Sequence, residues 1–178
     1  MIINLGNIIL RNWQEKDVRS LAKNANNKKI HDNLRDSFPY PYTELAAKQW
    51  IGIVKNENPI TNFAIEYKGN AVGGIGLIKQ EDVFRKNAEI GYWLGEKYWN
   101  KGITTKALKA IIDYSFNSFD IIRLFAHVFE SNVASIRVMT KCGFKEEARM
   151  KDAVIKNNSV QDCLIYSLLK SDYLKTMH

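Results

Sequence analysis

Cysteine, histidine and proline are all scarce in this chain: of 178 residues, two are Cys, three are His and three are Pro. Cys142 and Cys163 form no C-x-x-C pair, and His31, His127 and His178 are scattered. Zinc-site spacing is therefore absent, no metal is expected, and the cysteines read as buried thiols in a reducing compartment. Long hydrophobic runs are missing too. No stretch approaches the roughly 20 apolar residues that span a bilayer, so no membrane association is expected. The apolar start MIINLGNIILRNW is broken by Asn4, Gly6 and Asn7. It lacks a basic start and a small-residue cleavage site, so no signal peptide is expected and the expected location is the cytoplasm. Neither GxxxxGK[ST] nor GxGxxG occurs, which excludes the two common glycine-rich phosphate motifs.

What is present is a large apolar fraction. Hydrophobic residues make up 46% of the chain and aromatics 11%, enough to bury a core without disulfides or structural metal. The length suits one domain over residues 1–178. The formal net charge of +7 favours acidic ligands in a general way. The charges are spread without a lysine run, and no nucleic-acid-binding motif accompanies them, so nucleic acid is not an expected partner. A solvated lysine-rich surface accounts for the charge equally well.

The apolar periodicity is mixed. Residues 7–13 read as a strand and 16–26 as a helix. SFPYPYT comes next, with Pro39 and Pro41 enforcing an extended chain. Thr43 is placed to cap a helix running to about Lys55. Strand periods return over 62–67 and 71–79, joined by a KGN turn, and again over 87–94. A helix over 103–116, a strand over 121–129, a helix over 131–141 ended by Gly143, and two final strands complete the order β-α-α-β-β-β-α-β-α-β-β. Such an order buries one mixed sheet between helices on both faces, an α/β (α+β) fold.

Two stretches carry chemistry. In YWNKGITTKA, Gly102 precedes a helix whose first amide N–H groups lack intrahelical partners. Those amides and the helix dipole attract an anion, and a residue without Cβ lets a phosphate approach the backbone. Lys101 adds charge, and Thr104 and Thr105 add hydroxyls. A helix that begins after a glycine and binds nothing fits the same residues. In SNVASIRVMTKCGF, Asn132 stands at a strand-to-helix junction and Ser135 one turn further. Asn132 is placed either to bind a ligand's amides or, with Ser131, simply to cap the helix.

Together, AEIGYWLGEKYWNKGITTKALKAIIDYSF and IIRLFAHVFESNVASIRVMTKCGF resemble the GNAT superfamily of N-acetyltransferases. The chain looks most like the branch of the bacterial ribosomal-protein N-terminal acetyltransferases (RimJ/RimL-like). LRNWQEKDVRSLAKNANN and the ending AVIKNNSVQDCLIYSLL extend the likeness over nearly the whole chain. The resemblance implies a mostly antiparallel mixed sheet splayed between two parallel strands. It implies acetyl-CoA as cofactor, with its pyrophosphate on Asn100, Lys101, Gly102, Ile103, Thr104 and Thr105. It places the pantetheine arm between residues 89–94 and 124–129, pairing with backbone at Tyr92, Trp93 and Leu94 and with Asn132. Asn100, Thr104 and Lys106 depart from the branch's W-G-K-G loop and from the alanine and glutamate after it. Met139 stands where many members carry a tyrosine that protonates the leaving thiolate.

An acetyltransferase of this kind passes acetyl directly to a primary amine, either a protein N-terminus or a small molecule, in a ternary complex. Only the neutral amine attacks a thioester, so a carboxylate, or a water held by one, is needed to take the proton. Glu89 is the candidate base, with Glu81, Asp82 and Glu130 as rivals. His127 shares a strand face with Phe125 and Phe129 and reads as a packed residue. A backbone N–H near Trp93 or Leu94 is the candidate to stabilise charge on the carbonyl oxygen. With Met139 unable to help, Ser135 is the candidate donor to the thiolate. Phe38, Tyr40 and Tyr42 are candidate walls for the acceptor, or ordinary core. The missing tyrosine also fits a non-catalytic acyl-CoA-binding module. A monomer or a homodimer is expected.

Overall fold

The computed structural model describes residues 2–175. Eight strands form one mixed sheet: β1 (Ile2–Asn4), β2 (Ile8–Asn12), β3 (Asn62–Tyr67), β4 (Asn70–Lys79), β5 (Asn87–Leu94), β6 (Arg123–Phe129), β7 (Lys145–Lys156) and β8 (Ser159–Leu169). Their spatial order is β1-β2-β3-β4-β5-β6-β8-β7. The helices are α1 (Val18–Ala25), α2 (Lys28–His31), α3 (Glu44–Val54), α4 (Ile103–Ser118), α5 (Val133–Lys141) and α6 (Lys170–Lys175). The expected order is found, and β1, the single-turn α2 and the terminal α6 are added to it.

The chain divides into two compact units, Met1–Gly76 with Tyr92–Ala107 and Leu77–Gly91 with Leu108–His178. In the first, β2 pairs antiparallel with β3, Ile8 opposite Tyr67 and Asn12 opposite Phe63. The β3–β4 pairing is also antiparallel, with a register shift between Ile65 and Glu66. α1 and α3 bury Leu21, Ala22, Ala25, Ala47, Ile51 and Val54 in a cluster with Trp13, Tyr42, Ala64 and Ala71. Thr43 caps α3 as expected, its side chain accepting the Ala46 N–H. Beneath this layer Arg11 bridges Asp17 and Glu66, at 2.7 and 2.6 Å. Arg11 and Asp17 are 5% and 3% exposed, so each charge depends on the other for compensation.

In the second unit β5 and β6 run parallel through Asn87↔Arg123, Ala88↔Leu124 and Glu89↔Phe125. Among the described residues that ladder ends at Glu89, although β6 continues to Phe129. The other edge of β6 is paired throughout with antiparallel β8, from Arg123↔Leu169 to Phe129↔Cys163. β7 closes this side, antiparallel to β8. Leu124, Ala126 and Val128 are the buried positions of β6. No helix among the described residues is long and apolar enough to cross a membrane.

Candidate active site

The loop after β5 belongs to the first unit and is held by its own hydrogen bonds. The Gly95 N–H donates to the Val72 carbonyl at 2.8 Å, tying the end of β5 to β4. A 3-10 turn over Glu96–Tyr98 comes next. Trp99 then turns back, and its indole N–H donates to the Leu94 carbonyl at 2.7 Å. Asn100 and Gly102 both adopt left-handed backbone, φ +59° and +72°. Asparagine is one of the few side-chain-bearing residues that accept this conformation. The Lys106 N–H donates to the Gly102 carbonyl, so the first turn of α4 starts at Gly102. A Cβ placed on Gly102 would meet no atom within 4 Å; the space before the helix mouth is open.

The charges around this loop suit an anion. Glu96 is the nearby carboxylate, and Lys29 with Asn27 holds it below the usual carboxylate range. The Lys101 ammonium donates to the Lys97 carbonyl at 2.9 Å and lies 5.6 Å from the Tyr98 ring centre. Its charge is thus anchored at the loop. Ile103 is buried and fixes the start of α4, while Thr104 and Thr105 are half-buried beside it.

Upstream of the loop, β4 makes room for Trp93. A Cβ on Gly73 would lie 2.5 Å from the Trp93 carbonyl oxygen, and one on Gly74 would lie 2.7 Å from its indole nitrogen. Tyr92 and Trp93 are half-buried and Leu94 is buried. Phe38 packs on Trp93 with ring centres 5.7 Å apart and on Tyr42 at 4.9 Å. The candidate acceptor wall therefore separates into parts. Tyr42 is core, 6% exposed, and burial pushes its phenol up to about 12. Phe38 bridges that core to Trp93, whereas Tyr40 is exposed and tilted against His31.

The second unit holds the other candidates. Asn132 is the N-cap of α5, its Oδ1 accepting the Ser135 N–H at 3.1 Å. The helix begins at Val133, two residues later than the periodicity predicts. Ser135 is half-buried, and Met139 is buried. Burial pushes the Cys142 thiol up to about 11, which keeps it a neutral, unreactive group. Among the rival bases, Glu130 is engaged by Arg149 and by the Asp162 N–H. Glu81 and Asp82 sit exposed in the β4–β5 loop.

One reading is corrected. His127 is not a packed residue: its position is exposed, and its Nδ1 lies 2.9 Å from Glu89 Oε1. Strand alternation correctly groups it with Phe125 and Phe129, but the buried face of β6 is the opposite one. The Glu89–His127 contact joins β5 to β6 across 38 positions of sequence, so no local pattern announces it. The Trp99–Leu94 tether is not legible in the sequence either, because an indole five residues after a strand end is too weak a signal. Among the described residues no cluster of three or more His, Cys, Asp or Glu is placed to hold a metal.

Known proteins resemble this chain in sequence and in fold. The family described as an acetyltransferase (GNAT) domain matches residues 7–145. An uncharacterized N-acetyltransferase, p20, from Bacillus licheniformis is 31% identical over 141 residues, covering 75% of this chain and 78% of that protein. Among solved structures, RimL, a ribosomal L7/L12 alpha-N-protein acetyltransferase in complex with coenzyme A, superposes with a TM-score of 0.84. It is 24% identical and covers 95% of this chain and 98% of its own. The spermidine N-acetyltransferase of Vibrio cholerae, in complex with CoA and spermine, gives 0.78 at 23% identity, covering 94% and 98%. A mixed sheet with one parallel pair and helices on both faces is the fold they share with this chain. The chain belongs to the acetyltransferase (GNAT) family, and it is an acetyltransferase enzyme.

Proposed function

We propose that the protein binds acetyl-CoA and transfers its acetyl group directly to a primary amine, a peptide N-terminus or a small-molecule amine, within a ternary complex. The observation that carries this reading is the loop of left-handed Asn100 and Gly102 opening into α4. Its open space and anchored Lys101 fit a pyrophosphate. Asn100 through Thr105 would hold the phosphates. Tyr92 and Trp93 would offer backbone groups to the pantetheine arm. At Leu94 the carbonyl already accepts the Trp99 indole N–H, and we propose its N–H as the group offered to the arm. The Asn132 amide, with Oδ1 capping α5, has N–H donors for the same arm.

The bound thioester supplies an activated acyl carbon and a leaving group that, as a thiol ionising near pH ~8.5, needs little acid assistance. Ser135 is the proposed donor toward that sulfur, the role Met139 cannot fill. A backbone N–H at Trp93 or Leu94 would stabilise the developing oxyanion. Glu89 is the proposed carboxylate serving deprotonation of the acceptor; its side chain is 14% exposed, shielded but not sealed. The net charge of +7 favours a singly charged amine over a polycation. The test is thiol release from acetyl-CoA with a panel of free-N-terminus peptides, monoamines and spermidine. Amine-dependent release supports the reading. Binding of acetyl-CoA with no release across the panel overturns it.

A further inference from the structure

Glu89 and His127 are a pair that the fold brings together from positions 38 residues apart. Both lie in the second unit, on neighbouring strands, where the β5–β6 ladder ends. Their side chains are 14% and 30% exposed. The His127 ring stands edge-on to Phe125 with centres 5.6 Å apart, which limits its rotation. Beyond Phe125 the Arg123 guanidinium covers the ring at 4.9 Å and pairs with Glu147, so that cation is already matched.

The hydrogen bond fixes the chemistry of the imidazole. An ionised carboxylate can only accept, so at 2.9 Å the His127 Nδ1 must donate. In the neutral ring this leaves the lone pair on Nε2, for which the described residues show no partner. An imidazole is also a better match than a carboxylate to the task of taking a proton from an ammonium near neutral pH, because its intrinsic basicity is closer to that pH. A proton arriving on Nε2 leaves the Nδ1–H still directed at the Glu89 carboxylate, so the ring keeps its orientation.

We propose that Glu89 and His127 act as one proton-accepting pair, with His127 Nε2 taking the acceptor's proton and Glu89 holding the ring in the required tautomer. This rests on the acetyl-transfer reading above. One N–H bond of the acceptor ammonium breaks and one forms at Nε2. The freed nitrogen lone pair forms the C–N bond to the acetyl carbon, and the C–S bond breaks with its electron pair going to sulfur. The amine's second proton ends on that sulfur as the thiol, and the Nε2 proton leaves to solvent past the ring's exposed edge. Glu89 is then a positioning residue, and His127 the group that meets the substrate.

The experiment has two readouts. The first is the imidazole 15N spectrum of the unmodified protein at pH 8, with His127 assigned by its loss in His127→Asn. A Nδ1–H tautomer that is lost in Glu89→Leu, which leaves no acceptor, supports the pair; a Nε2–H tautomer in the wild type overturns it without reference to turnover. The second is acetyl-CoA turnover with a free-N-terminus peptide and with spermidine. His127→Ala is expected to lower kcat about 100-fold, the scale of general-base catalysis, with the KM for acetyl-CoA little changed and with activity partly restored by added imidazole. His127→Asn, which keeps a donor to Glu89 but no proton acceptor, is expected to be equally slow. Wild-type rates in His127→Asn, or in His127→Ala, overturn the proposal. A wild-type enzyme showing no amine-dependent thiol release is instead a failure of the acetyl-transfer reading.

Discussion

Trp99 donates its indole N–H to the main-chain carbonyl of Leu94, 2.7 Å away, and so closes the loop between β5 and α4 on itself. The bond fixes where Asn100 and Gly102 begin. Trp99→Phe keeps an aromatic ring and removes the donor together with part of the side chain's volume. A hydrogen bond of this kind contributes roughly 0.5–1.5 kcal/mol. The expected outcome is a fall in melting temperature of about 2–4 °C together with a several-fold rise in the KM for acetyl-CoA. Thermal denaturation and steady-state kinetics check it; a variant unchanged in both would show that the tether does not shape the loop.

Gly73→Ala tests the same strand end from the other side. The added methyl would sit 2.5 Å from the Trp93 carbonyl oxygen, and backbone cannot yield cheaply at that distance. β5 must shift near Trp93, or the variant must unfold more readily. Overpacking of this kind costs typically 1–3 kcal/mol. Chemical denaturation should register that loss, and the surviving folded enzyme should bind acetyl-CoA more weakly. Unaltered stability and affinity would mean that the Trp93 carbonyl moves freely and does not define the strand end.

Tyr42 gives a pH signature. Burial raises its phenol to about 12 in the folded protein, against ~10 in an unfolded chain. A raised acid holds its proton more tightly when folded. Its contribution to stability is therefore complete below about pH 10 and is lost as pH climbs from there through the folded value. Unfolding free energies from urea titrations between pH 8 and 11 should fall more steeply in the wild type than in Tyr42→Phe, by up to about 1.4 kcal/mol per pH unit inside that window. Parallel declines would show that Tyr42 is more hydrated than its 6% exposure indicates.

How much of this is legible in the sequence depends on the range of the interaction. The proposed phosphate loop is visible because its signal is local: a glycine against the first turn of a periodic helix. Thr43 capping α3 and Asn132 capping α5 are visible for the same reason. Asn100 stands out only as a departure from a family pattern, and the structure shows it in left-handed backbone. His127 is misread because alternation defines two faces without saying which is buried. The structure buries the face carrying Leu124, Ala126 and Val128. Its bond to Glu89 depends on the parallel pairing Glu89↔Phe125, a long-range register that single-sequence periodicity does not contain. The acceptor wall is half legible: the aromatic residues are plain, but only tertiary packing separates buried Tyr42 from exposed Tyr40.

The most direct measurement of the central claim is a calorimetric titration of coenzyme A into the wild type and Gly102→Val. The valine places a β-branched side chain at φ +72° and fills the open space before α4. Such a residue is strongly disfavoured in left-handed backbone and leaves no room for close approach by a phosphate. The expected result is saturable binding by the wild type and at least about tenfold weaker binding by the variant, a loss of about 1.4 kcal/mol, with the melting temperature of the unliganded protein showing that the variant is folded. Equal dissociation constants in the two proteins would contradict the placement of the pyrophosphate at this loop.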